Sequence, residues 1–235
     1  MSARRVRDIE YQLLRSGERR TADVVIERDG DISVRVPAHL TEEQADAVVE
    51  SKRLWIYRNL AEWRDLNATR VVREWVNGEG FLYLGSSYRL LFVQEQEEPL
   101  KLKDGRFCLL RKIVESGGEA AAKREFERFY TGKGLERIKK RVDYFAPKVG
   151  VAPVSVEVRD VGYQWATCSA DGWLSFHWKC MMATPKVIDY IVVHELCHFH
   201  HRDHTEAFWN EVDKVLPDYR ERKDWLRRNG AGMDL

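Results

Sequence analysis

At 235 residues the chain is long enough for one large domain or two small ones. Its 39 Lys and Arg nearly match 38 Asp and Glu, leaving a formal net charge of +1, which argues against a basic coat for nucleic acid. No apolar run reaches the roughly eighteen residues of a membrane span, so no membrane partner is expected.

The N-terminal stretch Met1-Ser2-Ala3-Arg4-Arg5 lacks the apolar core of a secretory signal. The four cysteines, Cys108, Cys168, Cys180 and Cys197, form no close pair and read as reduced thiols. Together these point to the cytoplasm. Residues 23 to 36 alternate around Asp29-Gly30-Asp31 and predict a β-hairpin ended by Pro37. Thr41 with Gln44 then forms a capping box for one long helix running to about Leu66.

Phe81 to Leu84 and Tyr88 to Val93 predict a second hairpin around Gly85-Ser86-Ser87, and a further strand pair flanks Asp104-Gly105. Ser116-Gly117-Gly118 is the best candidate linker. Beyond it, Glu119 to Tyr130 and Leu135 to Phe145 predict two helices broken by Thr131-Gly132-Lys133-Gly134. Strands follow at Val154 to Val161, around Trp165, and at Trp173 to Trp178 after a turn at Ala170-Asp171-Gly172. An unpaired strand edge beside a catalytic helix could hold an extended peptide by main-chain hydrogen bonds. The two tryptophans of the 173 to 178 segment could equally be core.

The most informative segment comes next. Thr184 is a good N-cap and Pro185 suits the first helical position, opening an apolar helix that carries His194-Glu195-Leu196-Cys197-His198. This is an H-E-x-x-H motif. Positions i and i+4 share a helix face, so both imidazoles can reach one ion, while the glutamate between them can act as a base on water. His204 follows just past a tight reversal and can supply a third ligand, leaving a fourth position open as catalytic zinc sites do. Asp203 with Glu206 predicts a capping box for the next helix, whose apolar stripe is Phe208, Val212 and Val215 and whose end is Pro217. His200 and His201 read as solvated turn residues. The competing reading makes His194 and His198 core residues and Glu195 a helix charge.

These residues carry a resemblance. The C-terminal part is similar to the YgjP-like metallopeptidase family, related to SprT-like and Wss-type zinc proteases. Gln164-Trp165-Ala166-Thr167-Cys168-Ser169 stands where that family has an arginine-tryptophan-glycine-serine-cysteine-serine signature. Pro185, Ile188-Asp189-Tyr190, the His194 to His198 box, His204 with Phe208-Trp209, Pro217-Asp218-Tyr219 and Trp225-Leu226 match in order. The match is close over roughly residues 120 to 230 and looser before, through Arg19-Arg20 and the Gly78 to Gly85 run. Gln164, Ala166, Thr167 and His177 depart from the family pattern, on the strand that would face substrate.

The resemblance implies a zinc-dependent peptidase with metal ligands His194, His198 and His204, a catalytic Glu195, and a peptide or protein substrate. The expected fold is α+β: a zincin-like metallopeptidase domain over residues 119–235, preceded by a small β-rich module with one long helix over residues 1–116. Tyr163, Gln164, His177, Tyr190 and Tyr219 are all chemically able to stabilise an oxyanion. Two alternatives stand beside this. A zinc-stabilised protein- or DNA-binding module would need a fourth ligand from Cys197, His200, Glu206 or Glu211. A SprT-like protease acting on DNA-associated proteins would need at least weak DNA association.

Overall fold

The computed structural model describes residues 2–17, 19–26, 30–67, 73–162 and 164–235, and the chain divides into two compact units, Met1–Arg70 and Val71–Leu235. The architecture is α+β, with three sheets among the described residues.

In the first unit, β1 (Ser2–Val6), β2 (Ile9–Ser16), β3 (Asp23–Ile26) and β4 (Ile32–Pro37) form a sheet of order β1-β2-β4-β3. The expected hairpin is β3–β4, closing at Ile26↔Ile32; the Asp29 end of its turn lies outside the described residues. Alternation puts Ile9, Tyr11 and Leu13 of β2 and Ile32, Val34 and Val36 of β4 on the buried face. They pack with Ala45, Val49 and Ile56 of α1 (Glu42–Ser51) and α2 (Arg53–Asn67). The Thr41–Gln44 capping box forms as expected. The single long helix does not: it breaks at Lys52, with φ −98° and ψ 7°. Just before the break, Ser51 Oγ donates to Val48 O at 2.8 Å, a side-chain bond that competes with the helical ladder.

The second unit starts with β5 (Gly80–Tyr83), β6 (Ser86–Val93), β7 (Leu100–Lys103) and β8 (Arg106–Leu110), in the order β5-β6-β8-β7. Phe81 and Phe107 pack on Phe126 at 4.5 and 4.9 Å between ring centroids. This sheet therefore shares its core with the metal-motif half. The boundary expected at 116–119 falls inside this unit, where Gly118, with φ +62° and ψ −161°, makes a kink between two helical stretches. Together these form α3 (Arg111–Val149), which runs straight through the break expected at Thr131–Gly134. Gly134 serves packing there: a Cβ would lie 3.1 Å from Met181 Cγ and 3.3 Å from Val158 Cγ1.

β9 (Ser155–Arg159), β10 (Ala166–Cys168) and β11 (Trp173–His177) form the third sheet, of order β10-β11-β9. The Trp173 segment is thus the central strand, paired on both sides, and β10 is an edge. A 3-10 turn at Trp178–Met182 leads to α4 (Pro185–Cys197), capped by Thr184 Oγ1, which accepts from Val187 N–H at 3.4 Å.

Two contacts fix α4. Arg141 of α3 grips Asp189 with two bonds, at 2.6 and 3.0 Å. The β5–β6 turn docks on the helix start: Leu84 N–H donates to Met181 O at 2.8 Å and Gly85 N–H to Met182 O at 3.2 Å. Gly85 has φ +81°, and a Cβ on it would fall 2.6 Å from Thr184 Cγ2, so only glycine fits. α5 (Glu206–Val215) and α6 (Tyr219–Asn229) complete the unit. The cap of α5 is Thr205, not the expected Asp203, whose carbonyl instead accepts from Thr205 N–H at 2.8 Å.

Candidate metal centre

α4 is buried from Val187 to Val193 apart from the half-buried Asp189, and at its C-terminal end His194 and His198 emerge one turn apart. His198 is the C-cap, so the chain turns away at once and brings His204 back over the helix end. The three imidazoles converge, each offering a ligand nitrogen within 4.8 Å of the others. Their ring centroids are 4.8 to 4.9 Å apart. Phe208 of α5, fully buried, lies under all three rings at 4.7 to 4.9 Å. In the sequence it reads as a stripe residue of α5 and as half of the Phe208-Trp209 pair. Its place as the floor of the centre needs the reversal between α4 and α5.

The donor set fits a divalent metal. His194 Nε2 and His204 Nε2 stand 2.9 Å apart, so both cannot carry a proton there. His198 Nδ1 faces His201 O at 3.0 Å; with the proton on Nδ1, Nε2 keeps its lone pair for a ligand. Burial lowers the pKa of His198 and, with help from neighbouring positive charge, of His204; it holds His194 well below the usual imidazole value. Neutral imidazole is the form a metal needs. His194 Nδ1 is buried without a partner.

Glu195 is buried at 6% exposure, and no described group pairs with its carboxylate. Desolvation alone pushes its pKa up to about 8. Tyr190 and Cys168 are close enough to feel its charge. Cys168 belongs to β10, which packs against α4. Arg202 lies along the end of β10, donating to Ser169 O at 3.1 Å, an arrangement the sequence does not announce.

The remaining candidates separate clearly. Cys197 is fully buried, and its thiol is pushed up to about 12. His200 Nε2 meets Val149 O at 2.9 Å, and Glu211 pairs with Lys214 at 2.7 Å. Glu206 is exposed at the start of α5. Among the described residues, none of these four joins the histidine cluster. His177 is committed to capping, accepting from Lys179 N–H at 3.1 Å. Gln164 is exposed, and Tyr163 lies outside the described residues. Tyr190 has its ring 5.8 Å from His194, while Tyr219 stacks on Trp209 at 5.4 Å.

The chain matches the family described as YgjP-like, metallopeptidase domain, over residues 20–229. Among solved structures it is similar to the metallopeptidase zymogen of Pyrococcus abyssi abylysin, at 23% identity and a TM-score of 0.36, over 38% of this chain and 90% of that one. Comparison with curated proteins gives no match.

Proposed function

The chain belongs to the YgjP-like metallopeptidase family, and from this premise we propose that it hydrolyses peptide bonds using zinc held by His194, His198 and His204, with Glu195 as the general base. The observation that carries the proposal is the convergence of three imidazoles, with Glu195, buried and unpaired, next to His194 on the same helix. Zinc, when bound, supplies a Lewis acid that polarises the scissile carbonyl and acidifies water.

The chain's own residues do the rest. Glu195 takes a proton from the attacking water and returns it to the leaving nitrogen. Its desolvated site raises its proton affinity, and a nearby cation would draw that affinity back towards the range a base needs. Tyr190 packs on His194 and Tyr219 reaches the histidines through Trp209, and we assign the developing oxyanion to one of these two phenols. The free edge of β10 offers main-chain groups to an extended peptide, which suits a protein substrate.

Three protein ligands rather than four support a catalytic over a purely structural ion. The DNA-directed alternative draws no support from the balanced charge or from the family match. The four unpaired cysteines suit a reducing compartment, and we propose the cytoplasm.

Metal analysis and a proteomic cleavage screen of wild type against Glu195→Gln test the proposal. Both proteins should carry about one zinc per chain, and the variant should lose at least about a hundredfold in cleavage rate. Undiminished cleavage rules out Glu195 as the base.

A further inference from the structure

Lys223 of α6 places a positive charge beside the metal centre that ligation of the metal does not use. Its Nζ stands 4.0 Å from the Trp209 ring centroid. Trp209 in turn lies 5.9 Å from His194 and 5.6 Å from His204, nearly parallel to the latter.

Charge pairing leaves this lysine apart. Asp224 is taken by Arg227 at 3.0 Å and Arg228 at 2.5 Å, and Asp213 by Arg220 at 3.6 Å. Among the described residues no carboxylate pairs with Lys223, which is exposed to incoming ligand. Trp209, Tyr219, Arg220, Lys223, Asp224 and Arg227 line a cavity of about 340 Å³ here. It has three cations to one acid, a stacked indole–phenol wall, and room for a side chain or a chain end.

We propose that Lys223, seated on Trp209, is a specificity-determining residue that anchors a carboxylate of the peptide substrate next to the metal centre. The carboxylate is either the free C-terminus or an Asp or Glu side chain. The inference rests on the peptidase reading above. The path from His204 through Trp209 to Nζ, 5.6 Å and then 4.0 Å, corresponds to at most about three residues of extended chain at ~3.4 Å each. A peptide lying across the metal can therefore reach the ammonium with a group near its cleaved bond. The lysine is already partly desolvated on the indole, so a carboxylate gains a charge-assisted bond with little further loss of water.

The test is a binding measurement on zinc-loaded Glu195→Gln protein with three matched fluorescent peptides: a free C-terminal acid, its amide, and an amide in which one internal Gln is replaced by Glu. At least one carboxylate peptide should bind about tenfold or more tighter than the neutral amide. Lys223→Met should erase that preference and Lys223→Arg should retain it; Lys223→Gln replaces the Met variant if that protein does not fold. Preference for the free acid identifies the chain end, and preference for the internal Glu identifies an acidic side chain. Equal affinities, no binding of any peptide, or a preference that survives Lys223→Met overturns the proposal. The cleavage screen judges the peptidase reading separately, because a binding preference needs no bond to break.

Discussion

Glu195 combines two demands that oppose each other. Burial raises its pKa to about 8, so in the metal-free protein the folded chain holds a proton between the unfolded value of about 4.5 and that point, where the unfolded chain does not. The Glu195 contribution to the stability of the metal-free protein should therefore fall as pH rises through this window, by up to about 1.4 kcal/mol per unit, while His194, His198 and His204, held neutral by burial, contribute the opposite trend up to the unfolded imidazole value. Glu195→Gln should flatten that part of the profile, and chemical denaturation of chelated protein from pH 5 to 8 would reveal it. Phe208 carries a second residue-scale expectation. Phe208→Ala should cost about 3–5 kcal/mol and weaken zinc binding, because the three rings lose their common floor; melting and metal titration check both. The clustering of His194, His198 and His204 was legible in the sequence because their spacing is local to one helix and one turn. Phe208 as floor and Lys223 as neighbour were not, since each meets the centre only after α5 and α6 fold back.

The elements show why some punctuation misleads. Gly134 reads as a break in a helical pattern, yet α3 needs it to let Met181 and Val158 approach. Lys52, with no breaker in the pattern, is where a long helix does divide. Glycine marks either a turn or a close approach, and only tertiary neighbours decide between them. A strand beside α4 is expected from the sequence, but which strand forms the edge is not: β11 pairs on both sides and β10 does not. Alternation gives a strand's faces, whereas its partners depend on chain order in space. Gly85 yields the prediction at this scale. Gly85→Ala should destabilise by about 1–3 kcal/mol, because its positive φ and its contact with Thr184 both resist a Cβ. The damage should reach the start of α4, so hydrogen exchange at residues 185–189 should rise with it.

At the scale of the whole molecule, each unit has its own core, Val34 and Val36 in one and Phe107, Phe126 and Leu196 in the other. Val34→Ala should cost about 2 kcal/mol in the first unit while zinc stoichiometry stays unchanged, as exchange mass spectrometry and metal analysis would show. No helix of the described residues is long and apolar enough to cross a membrane. The family resemblance was readable because its boxes fall on α4, α5 and α6; the division at Arg70 was not, since no Gly- or Pro-rich stretch announces it. The exposed position of His204, on a short span between two helices, has one more consequence. An ion that ties this span to the end of α4 works as a buckle, and unfastening it would offer residues 199–205 to a nicking protease. Trypsin should cut after Arg202 quickly in chelator and slowly in zinc, making survival of that single bond a gauge of loading in any preparation.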